Sequence, residues 1–238
     1  MLRIQFLKLW FNLSDPAVEE ALYDSVAMRS VVGIDLGVEG VPDETMECKF
    51  RHLLERHKLS KVLLQAVNDH LHRSGIKITT GTIVDAAIIV APSLTKNRDG
   101  RRNPQMHQTA KGRQWYFGMK AHVGVDSRTK LVHAVVASAA NVHDREALPP
   151  LLHGKETHVW DDQVYQGQRE VIRARAPKAK YRNKSRVRAK AEHVFGVIKN
   201  IFGFRKVRYR GLAKNLHRLE VTAALANLYI VRRRLLRA

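Results

Sequence analysis

Apolar residues recur along the first third of the chain at helical intervals. Leu2, Ile4, Phe6, Leu7, Leu9, Trp10 and Phe11 define one helix, and Ser14-Asp15-Pro16 supplies an N-cap and a first-turn proline for a second. Pro42-Asp43-Glu44-Thr45 precedes another periodic stretch ending near Arg56, and Ser60 stands where it can cap a helix from Lys61 to His72 that stops near Gly75. Residues 1–75 therefore read as a small helical unit. From Ile76 the period changes. Ile83, Val84, Ala86, Ala87, Ile88, Ile89 and Val90 form a short apolar run, the pattern of a buried strand. Residues 92–113 are polar, basic and glycine-containing and read as an exposed loop. Residues 115–125 and 131–139 read as two strands joined through Asp126-Ser127-Arg128-Thr129-Lys130, a hairpin of the longer-loop type. Asp144 is placed to cap a helix to Leu152, His158-Val159-Trp160 makes a short fourth strand, and residues 186–202 and 216–236 are helical. Three strands, a helix, a fourth strand and then helices give residues 76–238 a mixed α/β order.

Charge narrows the partners. The 238 residues hold 42 Lys and Arg against 22 Asp and Glu, a formal net charge of +20, while 45% hydrophobic residues suffice for a core and exclude a disordered basic tail. Such a surplus attracts polyanions and gains affinity by counterion release. Residues 98–113 and 169–210 concentrate it, as two phosphate-facing surfaces. Trp115, Tyr116 and Phe117 lie between basic residues and offer ring faces to unpaired bases, with core packing the reading for at least one of them. The single cysteine, Cys48, excludes a disulfide framework and any cysteine-based zinc module. His70 and His72, two residues apart on a helix, face different ways and form no zinc site. No apolar run approaches the roughly 18 residues of a membrane span, and the first ten residues lack a signal-peptide pattern, so a cytoplasmic, nucleoid-associated protein with no membrane partner is expected.

Three carboxylates stand out. Asp85 interrupts a buried strand, where an unpaired charge costs several kcal/mol. It either hydrogen-bonds its neighbours as a structural residue or belongs to a site. Asp162 lies just past the fourth strand, where loops of α/β sheets gather functional groups, although a turn-forming role is equally simple. Glu192 sits on a basic helix whose core stripe is Val187, Ala191, Val194 and Ile198; Arg188, Glu192 and Lys199 form a second stripe bordering it, which is also how an ordinary surface ion pair looks. Together the three are hard oxygen ligands of the type that holds Mg²⁺ or Mn²⁺. Asp144 reads as a helix cap and not as a ligand.

The stretch Thr82-Ile83-Val84-Asp85-Ala86, the segment Asp162-Gln163-Val164-Tyr165-Gln166-Gly167, and Arg188-Ala189-Lys190-Ala191-Glu192 followed by Lys199 resemble Asp-Asp-Glu (DDE) transposases of bacterial insertion sequences, and within them insertion sequence family 5. The resemblance extends to Trp10-Phe11-Asn12-Leu13-Ser14-Asp15, Pro42-Asp43-Glu44-Thr45, Phe50-Arg51-His52-Leu53-Leu54 and Val207-Arg208-Tyr209-Arg210-Gly211. Its most specific element is the pattern Tyr, two residues, Arg, three residues, Glu, six residues, Lys, which Arg188, Glu192 and Lys199 reproduce. Asp162 is preferred to Asp161 because the family's aspartate stands three residues before the tyrosine, here Tyr165.

The resemblance implies an RNase H-like mixed sheet flanked by helices over residues 76–238, behind a helical DNA-binding unit, residues 1–75. It implies catalytic, metal-holding roles for Asp85, Asp162 and Glu192, with two Mg²⁺ or Mn²⁺ ions. DNA contacts fall to Arg188 and Lys199; Lys120 and His122, on the neighbouring strand, either join them at the DNA or belong to a solvated strand face. The implied partners are terminal inverted repeats and target DNA, with self-association on paired ends, and the implied reaction is metal-dependent cleavage followed by strand transfer. The sequence also departs from the pattern. Ser185 takes the place of the tyrosine, Gln163-Val164 replaces a small residue and a glycine, and the chain is shorter than the family's at its N-terminus and before the glutamate helix. Residues 168–184 leave little room for the helix and fifth strand expected there. A rival expectation follows, an inert remnant that binds ends without cutting them; a weaker one is an RNA-binding protein with structural carboxylates.

Overall fold

In the computed structural model, residues 1–93, 100–160, 172, 174–177, 180–182 and 185–237 are described. The chain forms two compact units, Met1–Ser60 and Lys61–Ala238.

The first unit holds α1 (Leu2–Trp10), α2 (Asp15–Asp24), α3 (Val26–Val32) and α4 (Glu44–Arg56). Ser14 caps α2 as expected, its Oγ accepting from the Ala17 amide at 3.3 Å, and Asp43 caps α4, its Oδ1 accepting from the Met46 amide at 2.7 Å. The seven-residue α3 was not anticipated; Ser25 caps it, and Gly33 ends it at φ +81°, a left-handed conformation that favours glycine. Ile4, Leu7, Val18, Leu22 and Val41 make the core. Beside them runs a buried ion network. Lys8 Nζ lies 2.8 Å from Asp15 and 3.0 Å from Glu47, and Arg51 Nη1 lies 2.8 Å from the other Asp15 oxygen. Burial pulls the Asp15 carboxyl upward, but the hydrogen bonds from Lys8 and Arg51 outweigh it and hold the group below its ordinary range.

The second unit begins with α5 (Leu59–Arg73), which starts ahead of Ser60 instead of being capped by it. Leu71 packs with Leu131 and Val231, so this helix belongs with the sheet and not with the helices before it. The sheet comprises β1 (Gly81–Val90), β2 (His107–Lys111), β3 (Gln114–Asp126), β4 (Val132–Ala139), β5 (His158–Trp160) and β6 (Lys180–Arg182). The strand order is β2-β3-β1-β5-β6, with β4 also paired to β3; β3 is antiparallel to β1, β2 and β4, and β5 and β6 run parallel to β1. This mixed sheet flanked by helices is the α/β class expected. The short connection still accommodates a fifth strand, since β6 pairs with β5 over three residues. β2 corrects the reading of residues 92–113 as loop throughout. It pairs with β3 through His107, Gln108, Thr109, Ala110 and Lys111, an edge segment without the apolar alternation that reveals a strand.

Helices cover both faces. On one, Val84 and Val159 pack with Leu148, Leu151, Leu152 and Ile172, contributed by α6 (Asp144–Ala147), the short 3₁₀ turn Pro149–Leu151 and the chain beyond. Against the sheet also pack α7 (Ser185–Gly196), its π-helical extension Val197–Ile201, and α8 (Leu212–Leu235). Of the expected core stripe of α7, Ala191, Val194 and Ile198 are fully buried and Val187 is half-buried. Asn227 ties α8 to the sheet. Its carboxamide accepts from the Val132 amide at 2.8 Å and donates to the Val132 carbonyl and to Asn68 of α5.

Candidate active site

The alternation of β1 decides which predicted residues can meet. Val84 faces the Leu148–Leu151 side, so Asp85, its neighbour in the strand, points to the other face, beside its antiparallel partner Val123. Asp85 is half-buried, and its Oδ1 accepts from the Ala86 amide at 2.9 Å.

Two lysines lay α7 and its extension along β1. Lys190 Nζ donates to the carbonyl of Ser127, whose own amide donates to Gly81 O at 2.8 Å, at the start of β1. Lys199 Nζ donates to Ile88 O at 3.0 Å, near the end of β1. Glu192 lies between these tethers on the helix, as Asp85 lies between Gly81 and Ile88 on the strand. The Glu192 side chain is exposed. Half-burial, helped by the charges of Lys111 and Arg205, lowers the Lys199 pKa; the Asp85 carboxylate pulls it the other way, which places that carboxylate within electrostatic reach of the ammonium. Lys199 stands in a π-helical turn in which the Phe202 amide bonds Val197 O, five residues back. The wider turn re-aims a side chain that a regular helix would stack two turns above Glu192.

Lys120 and His122 lie elsewhere. Their partners across the sheet are Ile88 and Ala86, so both point to the face opposite Asp85. Lys120 Nζ donates to Asp144 Oδ1 and to Val142 O, each at 2.9 Å. His122, 1% exposed, bonds Ser138 Oγ at 2.7 Å through Nε2. Burial pushes its pKa down to about 4 against the opposing pull of Asp144, so the ring is neutral at pH 7. Asp144 opens α6 as its first residue; the cap is His143, whose Nδ1 accepts from the Arg145 amide at 3.2 Å. Asp162 and the side chain of Arg188 lie outside the described residues. Among the described residues no group of three His, Cys, Asp or Glu side chains is placed to hold a metal ion.

Lys111 and Arg205 belong to the two basic runs of the sequence, but their action on Lys199 shows only once β2 and the segment after α7 are in place. Sequence reasoning missed Asp126, fully buried, whose carboxylate accepts from the amides and hydroxyls of Thr79 and Thr129 and from the Arg128 amide. A turn aspartate gives no sign in sequence that it will gather two loops.

A family described as "Transposase DDE domain" matches residues 77–181 and 166–228, more than half of the chain and the whole of the strand-bearing region. The chain belongs to the DDE transposase domain family. A second family, "Transposase domain (DUF772)", matches residues 1–53, most of the helical first unit. Among solved structures, "Crystal structure of a pre-cleavage Mos1 transpososome" is similar over 98% of this chain and 75% of the other, at 12% identity and a TM-score of 0.35, too distant for any site to be transferred. No helix among the described residues is long and apolar enough to cross a membrane. The family match bears on the class of protein; the roles of individual residues rest on the geometry above.

Proposed function

We propose that this DDE transposase domain protein serves an insertion sequence of family 5, binding its ends, hydrolysing the DNA there and joining the freed 3′-hydroxyl to a target phosphodiester. The observation that carries this reading is the alignment of the Glu192 helix along β1, the strand that bears Asp85. A second supports it. In the parallel pair β1–β5, Trp160 is level with Ile83, and the chain carries Asp85 two residues after the one and Asp162 two residues after the other.

Asp85, Asp162 and Glu192 would hold the divalent cations, Mg²⁺ or Mn²⁺. Carboxylate oxygens are the donors these ions favour, and Asp85 presents its group from a rigid central strand. A pair of such ions activates an attacking oxygen and stabilises the leaving one. Lys199, fixed on Ile88 O within electrostatic reach of the Asp85 carboxylate, offsets part of its charge and keeps the π-helical extension of α7 on the strand. Lys120 and His122, on the far face, act here as packing and pairing residues of the α6 side, not as contacts to the scissile DNA. The fifth strand, β6, favours an intact core over the inert remnant that the short connection suggested.

The test is cleavage and strand transfer on labelled duplexes carrying the element's terminal inverted repeats, with Mg²⁺ or Mn²⁺, comparing the native chain, Glu192→Gln and a chelator control. Metal-dependent products that vanish in Glu192→Gln are expected. End binding without products, in folded native protein, would establish the remnant instead.

A further inference from the structure

The hydrogen bond from Lys190 to the Ser127 carbonyl fixes more than the position of α7 along β1. Two residues apart on a helix, Lys190 and Glu192 stand about 200° from one another, on opposite flanks of the buried stripe of Ala191, Val194 and Ile198. The Lys190 flank faces the β3–β4 hairpin loop, where Ser127 lies. His193 shares that flank, and slight burial together with the charge of Lys130, in the same loop, lowers its pKa. β3 and β5 pair with opposite edges of β1. A helix that lies along β1 and leans on the β3 side through Lys190 therefore turns Glu192 toward the β5 side, where the chain runs on from Trp160 to Asp162. Lys199 anchors the far end, on the π-helical extension, whereas Lys190 anchors the turn that carries Glu192.

The anchor point is rigid. The Ser127 amide donates to Gly81 O at 2.8 Å. The residue before it, Asp126, binds Thr79, just ahead of β1, and Thr129, across the loop. Burial pulls the Asp126 carboxyl upward, but the hydrogen bonds from Thr129 and Thr79 outweigh it and hold the group below its ordinary range. There is no slack at the start of the strand either. A Cβ on Gly81 would lie 2.3 Å from Ser127 Oγ and 2.8 Å from the Trp160 ring. One loop thus touches β1, which carries Asp85, α7, which carries Glu192, and the end of β5, which leads to Asp162.

We propose that Lys190 is a positioning residue that, through the Ser127 carbonyl, sets the roll of α7 and so turns the Glu192 carboxylate toward the β5 side of β1. The proposal rests on the reading of Glu192 as a metal ligand. Loss of a group that orients a ligand from behind costs about 10–100-fold in metal affinity or activity.

The experiment measures Mn²⁺ binding, by the loss of the free-ion electron paramagnetic resonance signal, to the full chain on a duplex carrying the element's terminal inverted repeat. Native protein is compared with Lys190→Met, Lys190→Gln, Lys190→Arg and Glu192→Gln, and with Arg73→Gln, which removes one exposed charge from the end of α5. Cleavage is followed in parallel as a function of Mn²⁺ concentration. Lys190→Met and Lys190→Gln are each expected to raise the Mn²⁺ dissociation constant, and the concentration for half-maximal cleavage, by about tenfold. Lys190→Arg, which keeps the charge and a donor, is expected to restore both, and Arg73→Gln to change neither. Circular dichroism confirms folding, and should one of the first two variants fail to fold, the other carries the comparison. Native-like Mn²⁺ binding in the folded variant, or a loss that Lys190→Arg does not restore, refutes the positioning role and leaves the metal reading standing. If Glu192→Gln binds Mn²⁺ as tightly as native protein, the reading of Glu192 as a ligand falls, and the proposal with it.

Discussion

Replacing Lys8 by Met tests whether the ion network holds the helical unit together. Lys8 is 2% exposed and bridges Asp15 and Glu47 at 2.8 and 3.0 Å; the Glu47 side chain is fully buried. Exposed ion pairs contribute at most about 1 kcal/mol. Here removal of the cation strands a carboxylate in the interior, and a broken buried pair costs about 3–5 kcal/mol. Asp15 adds little to that figure, because it keeps Arg51 and is partly open to solvent. The readout is amide hydrogen exchange in α1 and α4, whose opening free energy should fall by that amount while β3 amides stay protected. Lys8→Met combined with Glu47→Leu removes both charges and should restore most of the loss. A single-variant cost near that of a surface pair, or a double variant weaker than the single, would overturn the account.

Three further outcomes follow from the sheet unit. His122 and His133 are both held neutral by burial, with pKa values near 4 against 6.5 unfolded, so their contribution to stability is complete above pH 6.5 and declines as pH falls from there toward 4. The thermal midpoint should drop across that window, and less so in His122→Gln/His133→Gln; a flat native profile would contradict it. Asn227→Ala strands the Val132 amide and the Asn68 carboxamide oxygen, at about 1–3 kcal/mol for each group left unsatisfied, measurable by urea unfolding; no change in midpoint would show that the network is dispensable. At Gly118 a Cβ would run into the backbone carbonyl of Ile89, so Gly118→Ala should cost about 1–3 kcal/mol as overpacking, read by the same assay, and a neutral result would mean that β1 and β3 can separate.

Much of this was legible in advance where a local rule applied. Ser14 and Asp43 announce helix starts, the apolar run at Ile83–Val90 announces a central strand, and Val187, Ala191, Val194 and Ile198 announce the buried side of α7. Other features had no local signal. β2 is a polar edge strand stabilised by its partner. The π-helical turn at Val197–Ile201 breaks the spacing rule that stacks Lys199 over Glu192. Lys120 and His122 were placed near the site because β3 adjoins β1, but adjacency of strands does not settle which face a side chain takes. The register does, and it puts them opposite Asp85. Asp15 and Arg51 mark the family in sequence, and in the structure they belong to a buried ion network.

The strand order also governs the timing of folding. β3 and β4 are joined by a short hairpin loop and can form as soon as they are made, with β1 close upstream. The other edge of β1 waits for β5, whose pairing residues lie 77 positions later, and β5 waits in turn for β6. Parallel pairings at such separation are slow, because loop closure precedes any gain from contact. During synthesis the strand carrying Asp85 thus presents an open edge to other chains. A chain halted before residue 158 would leave that edge without its cover, and aggregation, more than loss of activity, is the expected fate of copies shortened to that point.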